Sequence, residues 1–566
     1  MISSYPQYPS RPLIAMDGVW KFSLYEGKFL EEITPDFPAE DRMCVPGAFD
    51  ATPAYFCRRG TAVYRKDFRL EQFSHRLLVR IGGLGLRARF YLDGIPVFYT
   101  ALPYSAESFE LTDVSAGVHT LTVLVDNMFS EEHQKLFLPG YDFFGFGGFY
   151  RSLEIRPLPP RNALERAQIR TLDLKTGKIA VTLIFRGETD PEVKCAVRFD
   201  QRQEATEYHL APVNGLATFE TTVPEFQIWS PQHPALHTLT VQTGQDCLVE
   251  RFGIRTIKAE KRKLYLNGQE LYLKGVNRHE SHPDMGPATT LITQVNDLQL
   301  LKNLQVNFIR GCHYPQDQRF LDLCDELGFL VWEESLGWGN TQEELSDPVF
   351  MQLQEKQTRL MVQNSINHPS VIFWAFLNEF ASDTQEGYQS CERLVKAIRE
   401  EDNTRLVSFA CCRPMTDFCL ALCDVLCLNT YPGWIGNNDC DFPEKITAAI
   451  PPILQRWLEF YPADMPIIVT EMGCCGLYGE RDPAAAQWTE QFQAEYFSKV
   501  IEVIFATPEI SGLTLWQFCD AKSFYRFGKR TGIRYKPLAF NLAGIYDRYR
   551  RPKLVAQTVA EWFAQK

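Results

Sequence analysis

Two spacings of apolar residues divide the chain. In the first part, short runs alternate apolar and polar side chains, as in RLLVRIGGLGLRARFYLDGIPV (76–97) and HTLTVLVDN (119–127). Gly and Asp-Gly turns break these runs, and β-branched and aromatic residues fill them, which predicts strands. A sandwich fits best. It ends at RPLPPRN (156–162), whose prolines favour extended backbone. A second set follows: KIAVTLIF, VKCAVRFD, ATFETTV and HTLTVQTG. Its strand density predicts a small immunoglobulin-like sandwich. FGIRTIKAEKRKLYLNGQ (252–269) leads out of it.

From about residue 270 the pattern changes. Eight apolar runs appear: ELYLKGVNRHE, VNFIRGCHYP, GFLVWEE, SVIFWAFLNE, RLVSFAC, VLCLNTYPG, PIIVTEMG and GLTLWQFCD. Helical stretches such as TQVNDLQLLKNL, DQRFLDLCDEL and SCERLVKAIRE lie between several of them. Eight strand–helix units predict a (β/α)8 barrel. The expected organisation is 1–160, 161–257 and 258–566.

The catalytic face of such a barrel lies at the C-terminal ends of its strands. Most of the eight runs end there in polar groups. The first ends at Asn277, Arg278, His279 and Glu280, the second at His313 and Tyr314, the third at Glu333 and Glu334. The fourth ends at Asn378 and Glu379, the sixth at Asn429 and Tyr431, the seventh at Glu471, the eighth at Trp516 and Asp520. Five glutamates therefore compete for chemistry. Two carboxyls flanking one bond are the equipment of glycoside hydrolysis, with a gap of about 5–5.5 Å for retention and a wider one for inversion. Runs four and seven would place Glu379 and Glu471 across the mouth. Any single strand-end glutamate is as readily a surface ion pair, so the array carries the argument. Trp516 suits an apolar sugar face, Asn378 a sugar 2-hydroxyl. Tyr431 is expected to steer the nucleophile and Arg278 to hold its charge.

Composition narrows the classes. The net charge of −12, from 58 basic and 70 acidic residues, lacks the basic footprint of a nucleic-acid binder. No run approaches a membrane span of about 18 apolar residues, and the N-terminus does not read as a secretory signal. The 16 cysteines include Cys411-Cys412 and Cys474-Cys475 but no C-x-x-C pair. Reduced, buried thiols in a cytoplasmic protein are expected. RHESH (278–282) has the wrong spacing for a zinc helix and reads as a hydrogen-bonded cluster at the barrel rim. GFGG (145–148) and GGLG (82–85) read as turns.

GVNRHESHPDMG (275–286), RGCHYPQ (310–316), FWAFLNE (373–379), LCLNTYPGW (426–434) and IIVTEMG (467–473) resemble, in order, the motifs of glycoside hydrolase family 2, the family of β-galactosidases and β-glucuronidases. The resemblance covers essentially the whole chain. It implies a jelly-roll sugar-binding-like domain, an immunoglobulin-like sandwich and the barrel. It implies a retaining mechanism with Glu379 as acid/base and Glu471 as nucleophile. His313, Asn429, Tyr431 and Trp516 match positions lining the family's terminal-sugar subsite. Asp142, in GYDFFGFGGFYRS (140–152), resembles an aspartate reaching in from the first domain, although Asp is also a common turn residue. The family resemblance implies a homo-oligomer. Sodium or magnesium serves some galactosidases of the family, but no acidic cluster here compels either, and no cofactor is expected.

The departures bear on the substrate. Bacterial β-glucuronidases, the closest overall look, grip the sugar carboxylate with an Asn-x-Lys motif. Here FNLAG (540–544) keeps Asn541 but has Ala543 in the lysine's place. Ile435 stands where glucuronidases use a tyrosine. Loss of a charge-assisted partner weakens carboxylate binding, so a neutral sugar, galactose first, is expected. A β-glucuronidase or a galacturonidase is the alternative if Lys529, Arg530, Arg534 or Lys536 supplies the charge, and an exo-β-glycosidase acting on arabinopyranosides is a further rival. A carbohydrate-binding protein on a dead barrel is the rival of another class, and the presence of both Glu379 and Glu471 argues against it.

Overall fold

The structure is a computed structural model, which describes residues 4–130, 132–138, 140–433, 443–524, 536 and 539–566. The first sandwich pairs two antiparallel sheets. A four-stranded sheet joins Ile14–Ala15, Leu153–Pro157, Ser74–Ile81 and Glu107–Val114. A six-stranded sheet runs Asp41–Val45, Gly18–Glu26, Gly60–Leu70, Gly117–Asp126, Arg87–Leu92 and Ile95–Thr100. Trp20, Phe22, Tyr64, Phe90 and Phe149 form the core between them.

The second sandwich has sheets of three and four strands. Its strands alternate cleanly: every second residue of Lys178–Arg186 from Ile179 to Phe185 is buried, and Val193–Phe199 follows the same period. One side of each strand faces the core and the other faces outward. Residues 7–11, expected to belong with the first sandwich, attach to this second one. Gln7 and Val249 exchange backbone hydrogen bonds of 2.9 Å. Arg11 Nε donates to Asp246 Oδ1 at 2.9 Å and Arg11 Nη2 to the Leu164 carbonyl at 2.5 Å.

All eight apolar runs become parallel barrel strands. They are β1 (Leu273–Arg278), β2 (Phe308–Gly311), β3 (Leu330–Trp338), β4 (Val371–Asn378), β5 (Leu406–Ser408 with Ala410–Cys411), β6 (Leu426–Asn429), β7 (Ile467–Met472) and β8 (Ile510–Leu515). The sheet closes at β5. Its first half pairs with β4 and its second half with β6, with Phe409 between. Helices α1 (Leu291–Asn303) and α2 (Gln318–Leu327) follow β1 and β2. Thr290 caps α1 through the Thr293 amide, and α2 ends on Gly328 at φ +70, a left-handed C-cap that glycine adopts without strain. Every residue of β4 is buried, as expected for a parallel strand covered on both faces.

The first sandwich docks on the mouth of the barrel. Arg151 Nη2 donates to Glu280 Oε2 at 2.9 Å and to the Pro315 carbonyl at 2.7 Å, fully out of solvent. Tyr104 stacks on Tyr314 with centroids 3.8 Å apart. The aromatic segment between Leu136 and Tyr150 packs into the same hydrophobic cluster as the barrel interior.

The N-terminal strap should contribute measurable stability. Breaking the buried Arg11–Asp246 pair from one side costs about 3–5 kcal/mol. Arg11→Ala should therefore lower the thermal midpoint, and adding Asp246→Asn should restore part of the loss. A wild-type melt for the single variant would mean that residues 7–11 are not bound as described.

Candidate active site

The chain leaves β4 through a strained turn. Leu377 and Glu379 both have left-handed backbone, φ +45 and +55, uncommon outside glycine and concentrated at functional sites. Neighbouring groups fix the turn. The Glu379 amide donates to the Ala410 carbonyl at 2.9 Å. Arg413 Nη1 donates to the Glu379 and Phe380 carbonyls at 2.9 and 2.7 Å. The turn presents the Glu379 carboxyl to Asn429, whose Nδ2 donates to it at 2.7 Å. Thr470 Oγ1 in turn donates to Asn429 Oδ1 at 2.8 Å, which sets the amide's orientation. Burial, with the neighbouring Glu471 adding to it, pushes the Glu379 carboxyl up to about 7 against the opposing pull of Asn429, Arg310 and Arg413.

Glu471, on β7, stands in different surroundings. Its Oε1 accepts from Arg310 Nη1 and its Oε2 from the Tyr431 hydroxyl. Arg310 is fully buried. It also donates to Asn277 Oδ1, Glu334 Oε2 and Asn378 Oδ1, each at 2.8 Å. Burial works against the guanidinium's charge, and Glu334 and Glu471 outweigh it, so its pKa lies above the ordinary value. The bond from Arg310 turns Asn378 so that its Nδ2 is the buried atom without a partner among the described residues. His313 is held in the same way. Its Nδ1 lies 2.9 Å from Glu334 Oε1, and its Nε2 is buried without a partner among the described residues. The His313 ring lies nearly parallel to Trp516, with centroids 5.7 Å apart.

Glu379, Glu471, Asn378, Asn429, Tyr431, His313 and Trp516 thus meet at one mouth. Asp142 enters from the first sandwich: Ser523 Oγ donates to its Oδ1 at 3.0 Å and Lys536 pairs with it. The adjacent Phe143 ring lies 5.7 Å from that of His313. Asn541 Oδ1 accepts from the Ala543 amide at 3.2 Å, leaving Nδ2 buried without a partner among the described residues. Ala543 is fully buried in a cluster with Trp516, Cys312 and Tyr431. Ile435, Lys529, Arg530 and Arg534 lie outside the described residues.

Three expectations change. Arg278 does not hold the charge of Glu471. It pairs with Asp297 of α1 at 3.0 Å and covers the Phe320 ring of α2. Arg310 takes the role expected of it. Glu333 and Glu334 are not at a strand end, because β3 continues to Trp338. Successive side chains on a strand face opposite ways. Glu334 thus meets Arg310 inside the barrel, while Glu333 accepts from the Gln316 amide at 3.2 Å, where burial pushes its carboxyl up to about 7. Glu280 is taken by Arg151 and the Asp317 amide. The sequence reading missed the Arg310–Glu334 pair. Its signal was a cation in the middle of the apolar run VNFIRG, where only an inward partner permits burial.

The sequence profile described as "Glycosyl hydrolases family 2, TIM barrel domain" matches residues 257–565, and that described as "Glycosyl hydrolases family 2" matches 163–255. The chain is 27% identical to a beta-glucuronidase of Streptococcus agalactiae serotype V, with 96% of this chain and 94% of that one covered. It is 25% identical to a beta-galactosidase of Thermoanaerobacterium thermosulfurigenes, over 86% of this chain and 66% of that protein. Among solved structures, the beta-galacturonidase of Eisenbergiella tayi bound to galacturonate superposes with a TM-score of 0.89 at 29% identity, covering 100% of this chain and 99% of the other. With its barrel and second sandwich matched by the family profiles and its fold shared along its whole length, the chain belongs to glycosyl hydrolase family 2 and is a glycosidase.

Proposed function

We propose that the protein is a retaining exo-β-glycosidase that releases a terminal uronic acid, β-galacturonide first and β-glucuronide second. The observation that carries the mechanism is the contrast between two carboxyls at one mouth. Glu379 is pushed up to about 7, so it holds a proton for the leaving oxygen. Glu471 is met by a guanidinium and a phenol, donors that suit an anion and hold it for attack. Environments that separate two carboxyls in this way assign acid and nucleophile. Glu471 attacks the anomeric carbon as the aglycone oxygen takes the proton of Glu379. Glu379 then draws a proton from water, the water oxygen attacks the same carbon, and the ester to Glu471 breaks. Asn378 Nδ2 and His313 Nε2, both buried without partners among the described residues, are placed to bond sugar hydroxyls.

The uronic acid is supported by two things. The full-length likeness to a structure bound to galacturonate is one. The other is Lys536, a mostly buried lysine paired with Asp142 beside the mouth; burial lowers its pKa to about 7, and a carboxylate at the mouth would favour its charged form. On this reading it would supply, from another direction, the charge that Ala543 cannot, and a uronide is preferred to the neutral galactoside expected from the sequence. The galactoside reading keeps one observation in its favour: Ala543 is packed directly against Trp516.

Glu471→Gln should abolish turnover with the fold intact, and near-normal activity would remove the nucleophile assignment. Glu379→Gln should slow substrates with poor leaving groups by about 10²–10⁴-fold and nitrophenyl glycosides less. Because the carboxyl must be protonated to donate, kcat/KM should decline as the pH rises through about 7. A profile flat to pH 9 would contradict the acid role. On a panel of nitrophenyl glycosides, Lys536→Met should cost uronides about 1.5–3 kcal/mol, ten- to over a hundredfold in kcat/KM, and leave galactoside hydrolysis little changed. Equal losses on both sugars would reject the carboxylate assignment.

A further inference from the structure

Three groups that the proposed reaction does not use as acids or bases meet at the floor of the mouth. His279 follows β1, and Cys312 and His313 follow β2. Each offers one ligand atom, and these atoms lie within 4.8 Å of one another with all three residues buried. Spacing in RHESH argued against a metal helix, and His282 does not join this group. The additional donors come from the next strand, where no local motif would reveal them.

We propose that His279, Cys312 and His313 bind a thiophilic divalent cation of the zinc class. Two imidazoles and one sulfur are a borderline-soft donor set that favours zinc over magnesium or calcium. Three protein ligands with a fourth position left open is the arrangement of an accessible zinc site. His313 has the outer partner such sites use: Glu334 Oε1 lies 2.9 Å from Nδ1, fixing the ring while Nε2 is buried without a partner among the described residues. Arg310 Nη2, 3.4 Å from His313 Nδ1, opposes a cation, but Glu334 and Glu471 both pair with it and outnumber it. On binding, the Cys312 thiol proton leaves to solvent as the sulfur–metal bond forms, with no change of oxidation state. The site shares His313 with the sugar pocket, so metal and sugar should exclude each other; that clause rests on the function proposed above.

The test uses the intact enzyme with metal alone. Titration with Co2+ should produce a thiolate-to-cobalt charge-transfer band that Cys312→Ser removes. Zn2+ should inhibit competitively against the preferred nitrophenyl glycoside, while Mg2+ should not. Cys312→Ser should raise the half-inhibiting Zn2+ concentration by at least the roughly tenfold that loss of an outer-shell partner alone can cause. His279→Gln, which leaves the sulfur in place, should weaken Zn2+ binding independently. No cobalt band in the wild type, or a Zn2+ sensitivity in both variants equal to that of the wild type, overturns the proposal. A Cys312-dependent band with non-competitive inhibition leaves the metal site standing and removes His313 from the sugar pocket.

Discussion

A guanidinium without any solvent exposure can stand inside a barrel only if its charge is matched there. Arg310 meets that condition by touching four strands besides its own neighbourhood: Asn277 on β1, Glu334 on β3, Asn378 on β4 and, through Glu471, β7. The rest of the mouth follows from this one cation. It sets which atom of Asn378 faces a ligand. It holds Glu334, which holds His313. It also holds Glu471, which stands close enough to Glu379 to raise the latter's pKa. A change at Arg310 would therefore act on every one of these groups together.

Much of the fold could be read from periodicity. All eight apolar runs of the barrel and the alternating strands of both sandwiches are present, because their spacing follows from which faces are buried. What could not be read depends on long-range pairing. β3 runs on to Trp338 because it pairs with Asn378 of β4 through an irregular register, and nothing in GFLVWEE announces that partner. The fifth run divides at Phe409 because its two halves serve different neighbours. Residues 7–11 join the second sandwich through a pair separated by 235 positions, beyond the reach of any local pattern.

The site was legible to the same degree and for the same reason. Polar residues interrupting apolar runs located the mouth, and the family motifs located Glu379 and Glu471. The error between Arg278 and Arg310 is one of side-chain direction. Asn277 faces the lumen, where it meets Arg310, so Arg278, the next residue on the strand, turns outward to Asp297. Lys536 was one of four cations in a basic run that composition alone could not rank. Of the four, only Lys536 lies among the described residues, where it contacts Asp142, 394 positions earlier in the chain.

The segment between Leu136 and Tyr150 is encoded with the first sandwich yet shares its buried side chains with the barrel. Sequence boundaries therefore do not mark independent thermodynamic units. A barrel excised at residue 258 would expose the surfaces that Phe137, Tyr141 and Phe143 now cover, and it would lose Asp142 from above the mouth. In evolutionary terms the two parts are bound to each other: neither can be exchanged for a foreign module without also replacing the side chains that Asp142 and Phe143 bring to the mouth.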